Sequence, residues 1–144
     1  MKILVLNGPN LNLLGIREPG IYGNNSYSDL CALIREKAAR LGVEVCLYQS
    51  NHEGGLVDRI QQALGQEDAI VINPAAYTHT SIAILDALKA VGLPAAEVHI
   101  SDVTRREPFR QLSYAGMACE AHYIGLGFEG YLKALEYLAG KYGA

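Results

Sequence analysis

Arg17 and Tyr22 stand five residues apart in "NGPNLNLLGIREPGIYG" (7–23), a polar, glycine-bearing stretch that follows the apolar run "KILVL". A tyrosine phenol ionises near pH ~10, and a guanidinium held beside it lowers that value by stabilising the phenolate. Such a phenolate can abstract a proton next to a carbonyl; a loop tyrosine that only packs its ring is the structural alternative. "RREPFR" (105–110) can add positive charge. His99, in "EVHIS", follows Glu97 by two residues. On a strand that spacing puts both side chains on one face, where a carboxylate fixes the imidazole tautomer and raises its basicity; a purely structural histidine is the alternative. His79 and Asp86 fall at i and i+7, nearly one face of a helix. Taken alone, Asp86 reads as a solvated helix carboxylate.

Other chemistries find less support. Lys2, Lys37, Lys89, Lys133 and Lys141 fall at the chain start or on outer helices, away from strand carboxyl ends, which argues against Schiff-base catalysis. No His/Cys/Asp cluster has metal-ligand spacing, and His122 stands isolated, so no metal is expected. Cys31, Cys46 and Cys119 form neither a close pair nor a CxxC and read as reduced, mostly buried thiols of a cytoplasmic protein. The loop after "KILVL" lacks the hydroxyls and the Lys–Ser/Thr of a phosphate-binding loop, which disfavours nucleotides. At 50% hydrophobic and 19% charged residues with a net charge of −3, the composition gives no reason to expect a nucleic-acid partner. The N-terminus is too short in apolar residues for a signal h-region or a membrane span. What remains is cofactor-free acid–base chemistry on a small, polar, anionic molecule.

The elements that must position these groups alternate. Apolar runs at 2–6, 43–49, 68–73, 95–101 and 119–126 read as strands. Helical patterns intervene: one from Ser26 or Ser28 to Leu41 with apolar Leu30, Leu33 and Ile34, one over 56–65, one over 81–92 with a stripe through Ile82, Leu85 and Leu88, and a last over 130–143. Such alternation in 144 residues predicts a single α/β domain over 1–144, a doubly wound five-stranded parallel sheet of flavodoxin-like order 2-1-3-4-5 with helices on both faces. Ligands then bind outside the strand carboxyl ends at the switch point, so the segments beginning "NGPN", "NPAAYTHTS" and "HISD" should form the site. A flavodoxin-like binding module without catalysis, or another small-acid lyase or isomerase, would use the same frame.

Four stretches, "NGPNLNLLGIREPGIYG", "QSNHEGGLVDRIQ", "INPAAYTHTSIAILDAL" and "EVHISD" followed by Arg, "FR" and "SY", resemble in order and separation the type II 3-dehydroquinate dehydratases. The resemblance covers nearly the whole chain. It implies dehydration of 3-dehydroquinate to 3-dehydroshikimate without cofactor or metal, in the shikimate pathway or in quinate catabolism, by a homo-oligomer, a dodecamer built from trimers. It implies Tyr22 as the base at C2, Arg17 as the cation that lowers its pKa, Asn10 as the holder of a water at the enolate oxygen, and His99 as the acid at the C1 hydroxyl, oriented by Glu97. Asn73, His79 and Arg110 with the backbone of Ile100 and Ser101 are implied to bind substrate. Asp86 is implied to reach a neighbouring subunit's site, and Glu53 and Arg106 to support from behind. Where many members have Asn, REEF and HHSY, this chain has Asp102, "REPF" with Pro108, and "QLSY" with Gln111–Leu112. The segment 7–23 divides into a site wall to Leu14 and a glycine-hinged lid from Gly15, expected to be mobile over about 17–24 without ligand.

Overall fold

The computed structural model describes residues 1–16 and 25–143. Five strands, β1 (Lys2–Asn7), β2 (Glu44–Gln49), β3 (Ala69–Asn73), β4 (Ala95–His99) and β5 (Ala121–Ile124), form an all-parallel sheet. Their order, β2-β1-β3-β4-β5, is the expected flavodoxin-like one. Among the described residues four α-helices connect and cover it: α1 (Tyr27–Leu41), α2 (Glu53–Gln62), α3 (Ile82–Val91) and α4 (Glu129–Tyr142). The inner strands β1, β3 and β4 are buried along almost their whole length, as strands covered on both faces must be.

The two faces of the sheet carry separate cores. Ile3, Val5, Val71 and Val98 pack with Leu30 and Ile34 of α1 and with Tyr131, Leu135 and Leu138 of α4. Leu4, Leu6, Ile70 and Ile72 pack with Leu56 and Ile60 of α2 and with Ile84 and Leu88 of α3. Each such fully buried side chain contributes about 1.5–3 kcal/mol through area removed from water. Ser26, not Ser28, caps α1 in a reciprocal box with Asp29, and Gly42 closes the helix at φ 71°.

Several boundaries and faces differ from the sequence reading. α2 begins at Glu53, three residues before the apolar run at Leu56, because its first turn needs only an acidic start and not a buried face. β5 is shorter than 119–126, since Gly125 and Gly127 turn the backbone into the left-handed region straight after Ile124. The buried face of α3 runs through Ile84, Leu85, Ala87 and Leu88, while Ile82 is 53% exposed. In α1, Cys31 and Ala38 join Leu30 and Ile34 in the core, and Leu33 is largely outside. His79 ends a 3-10 turn (Ala75–His79) and is not on α3, so it does not share a helix face with Asp86.

Candidate active site

The floor of the site is set by strand register. Asn7 of β1 and Asn73 of β3 are neighbours at the carboxyl ends of adjacent strands. Tyr131 of α4 rises between them, its hydroxyl donating to Asn7 Oδ1 at 2.6 Å and accepting from Asn73 Nδ2 at 2.8 Å. Asn7 Nδ2 in turn donates to the hydroxyl of Tyr27 at 3.3 Å. Burial pushes the Tyr131 phenol above its ordinary range and, against the Asn7 hydrogen bond, lifts that of Tyr27 to about 12. Both are therefore neutral donors and acceptors holding the floor. Asn73 Oδ1 also accepts from the amide of Ala75, which sits at φ 53°, an uncommon conformation for a residue with a Cβ, directly on the cleft.

The wall after β1 is fastened from β2. Gln49 Nε2 donates to the carbonyl of Gly8 at 3.0 Å and to Asn51 Oδ1 at 3.2 Å, and Asn51 Oδ1 receives the amide of Asn10 at 3.0 Å. Asn10 lies in the left-handed region at φ 71°, which asparagine tolerates better than most residues. Gly8 has no room for a side chain, since a Cβ there would collide with the backbone oxygen of Pro74. The connections after β1 and β3 are thereby pressed together into one rim.

Glu97 and His99 share a face of β4, as their spacing requires, and both are almost fully buried. Glu97 Oε2 accepts from His99 Nε2 at 2.8 Å and from the hydroxyl of Ser113, with Thr78 Oγ1 at 3.4 Å. Its other oxygen, Oε1, accepts from His122 Nδ1 at 2.7 Å. Burial opposes the charge on Glu97, but the hydrogen bonds from His99, Ser113 and His122 outweigh it and bring the carboxyl down to about 2. An ionised carboxylate only accepts, so His99 carries a proton on Nε2 and keeps Nδ1 for the site. His122 is not isolated: it stands opposite Glu97 in the β4–β5 register. Gly116 closes against the carboxylate, where a Cβ would fall 2.6 Å from Oε1.

Over this floor lies a cleft of about 230 Å³, at the strand carboxyl ends where the topology places ligands. Asn10, Asn73, His79, His99, Ile100, Ser101 and Arg110, each expected at the site, all line it. Arg106 lines it too and stands in the wall itself, not behind it as expected. His79 Nδ1 is hydrogen-bonded to the carbonyl of Leu112 at 2.8 Å, which leaves Nε2 for a ligand. Arg110 is held by Glu107, 2.6 Å from its Nε, and stacks over Phe109. Asp86 is exposed on α3, and Glu53 starts α2; neither lines the cleft. Arg17, Tyr22 and the expected mobile lid lie outside the described residues. Asp102 accepts from both the amide and the hydroxyl of Thr104, Pro108 opens the turn 108–110, and Gln111 donates to the carbonyl of Thr104 at 2.9 Å. The three departures from the family pattern thus brace the loop that carries Arg106 and Arg110.

Ser113, Thr78, His122 and Gly116 as partners of Glu97, and Tyr131 as the tie between the two asparagines, leave no signal in the sequence. Their contacts cross from loop to strand or helix to strand, and no local spacing encodes them.

The dehydroquinase class II family matches residues 1–139 of the chain. Among curated relatives, the 3-dehydroquinate dehydratase 1 of Ralstonia nicotianae is 54% identical over 99% of this chain and 92% of its own length. The catabolic 3-dehydroquinase of Aspergillus oryzae is likewise 54% identical, over 96% of this chain and 90% of its own. Among solved structures, the type II dehydroquinase of Butyrivibrio crossotus superposes with a TM-score of 0.93 at 51% identity, covering 96% of this chain and 97% of that one. A match over residues 1–139, and relatives at about half identity along nearly the whole length, establish that the chain belongs to the class II dehydroquinase family.

Proposed function

We propose that the protein is a 3-dehydroquinate dehydratase that eliminates water in two steps, with Tyr22 as base and His99 as acid. The observation that carries this reading is the buried Glu97–His99 pair, whose geometry leaves one imidazole nitrogen for a cleft flanked by Arg106, Arg110 and His79. Tyr22, as phenolate beside Arg17, takes the proton from C2, and the electron pair moves to the carbonyl oxygen as an enolate. Asn10 steadies a water against that oxygen. The enolate then collapses, the C1–oxygen bond breaks, and His99 delivers its Nδ1 proton so that the hydroxyl leaves as water. Glu97 stabilises the protonated imidazole before transfer. The arginines and the backbone at Ile100 and Ser101 suit a substrate carboxylate.

Tyr27 and Tyr131, whose phenols are both pushed upward, are unsuited to the base role. Assembly into trimers and dodecamers, with exposed Asp86 reaching a neighbour's site, and a cytoplasmic setting complete the proposal. Among the described residues no helix is long and apolar enough to cross a membrane. Relatives carry both plain and catabolic names, and either direction of pathway use suits the same chemistry.

The test is formation of the conjugated enone from 3-dehydroquinate, followed by ultraviolet absorbance. Tyr22→Phe and His99→Ala should each reduce turnover by at least ~100-fold, the range of a lost general base or acid. Near-normal turnover in either variant overturns that residue's role. In Arg17→Ala the pH dependence of kcat/KM should move to higher pH, and an unmoved profile would remove Arg17 from the mechanism.

A further inference from the structure

His122 is left without a task by the reaction as proposed, yet it is built into the same buried carboxylate. Parallel register sets it opposite Glu97, and its Nδ1 lies 2.7 Å from Oε1 while His99 Nε2 lies 2.8 Å from Oε2. The environments of the two imidazoles differ: the His99 side chain is 4% exposed, whereas that of His122 is 45% exposed. Other groups face Glu97 as well. Thr78 and Ser113 bring uncharged hydroxyls, and the thiol of Cys119 is pushed up to about 12 by burial and by the charges of Glu97 and Glu120, so it stays neutral. Glu120, near His122 in sequence, is engaged by Lys141, Tyr137 and Tyr142 of α4. The single negative charge at Glu97 is thus shared by two imidazoles and balanced by no other cation among the described residues.

We infer that His122 is a positioning residue that regulates the proton on His99 by competing for Glu97 from the solvent side. When His122 gains its second proton, the carboxylate is already neutralised and holds the His99 proton less firmly. When His122 loses it as the pH rises, the full charge of Glu97 falls to His99, which then keeps its acidic proton further into the alkaline range. Interacting sites of this kind titrate as a pair, with a stretched curve. An unperturbed imidazole changes charge between about pH 5 and 8, the range over which the competition is to be tested. The catalytic consequence rests on His99 being the acid; the coupling itself does not.

The experiment is a titration of the imidazole resonances by NMR on the intact protein, alongside kcat/KM against pH with 3-dehydroquinate. Two substitutions at this exposed edge-strand position carry opposite charge arguments. His122→Gln keeps a donor toward Oε1 but removes the titrating charge; it should raise the His99 midpoint by about one pH unit and restore a simple one-proton curve. His122→Lys holds the charge permanently and should lower that midpoint. A merely structural role would move both variants the same way. Shifts of the same sign, or no shift in either, overturn the inference. Opposite shifts in the resonances with an unmoved alkaline limb of kcat/KM uphold the coupling and overturn His99 as the acid instead.

Discussion

Replacing Glu97 by glutamine keeps the shape of the side chain and deletes its charge. The carboxyl sits at about 2 against an ordinary 4.5; at about 1.36 kcal/mol for each tenfold change in proton affinity this gives the ionised form roughly 3 kcal/mol of folding stability at neutral pH. The sign follows from the direction. Because the folded value is depressed, the contribution is complete above the unfolded value of 4.5 and is lost as pH falls toward 2. Roughly 2 kcal/mol of it is gone by pH 3. Glu97→Gln should therefore melt ~6–12 °C below the parent at pH 7, at about 2–4 °C per kcal/mol for a domain near this size, and the gap should narrow below pH 4.5. The amide also places a donor against one imidazole N–H, so turnover should fall by ~100-fold or more. Thermal melts of both proteins between pH 7 and pH 3 measure the first effect, and the enone assay measures the second. A melting gap that stays constant across that range would show that the stabilisation does not come from the charge on Glu97.

Other perturbations test the supports of the site. Gly116→Ala puts a Cβ 2.6 Å from Glu97 Oε1 and 3.1 Å from Ser113 Oγ, so it should cost about 1–3 kcal/mol in denaturant unfolding and displace the carboxylate enough to lower kcat more than ~10-fold. Unchanged kcat would show that the carboxylate position is not tightly set. Tyr131→Phe removes the hydroxyl shared by Asn7 and Asn73 in a fully buried place, and the two stranded amide groups should cost about 1–3 kcal/mol by chemical denaturation. Ser26→Ala breaks the capping box with Asp29 and should cost about 1 kcal/mol in the same measurement.

Much of this arrangement was present in the order of residues. Strand and helix alternation dictated a parallel doubly wound sheet, because each buried strand needs covering on both faces and each crossover needs a helix. The switch-point rule then located the cleft at the ends of β1, β3 and β4. The i, i+2 spacing of Glu97 and His99 fixed their common face, since a strand alternates with a period of two. Local chemistry thus determined the frame, the place of the cleft and the pair at its centre. The tertiary structure alone decided how that pair is held. His122 meets Glu97 only through β4–β5 register, Ser113 and Gly116 only through the packing of the segment before β5, and Tyr131 reaches Asn7 across 124 residues of chain. Ile82 turned outward and Arg106 into the cleft wall for the same reason: which face of an element is buried depends on its neighbours, and those are chosen by the fold as a whole.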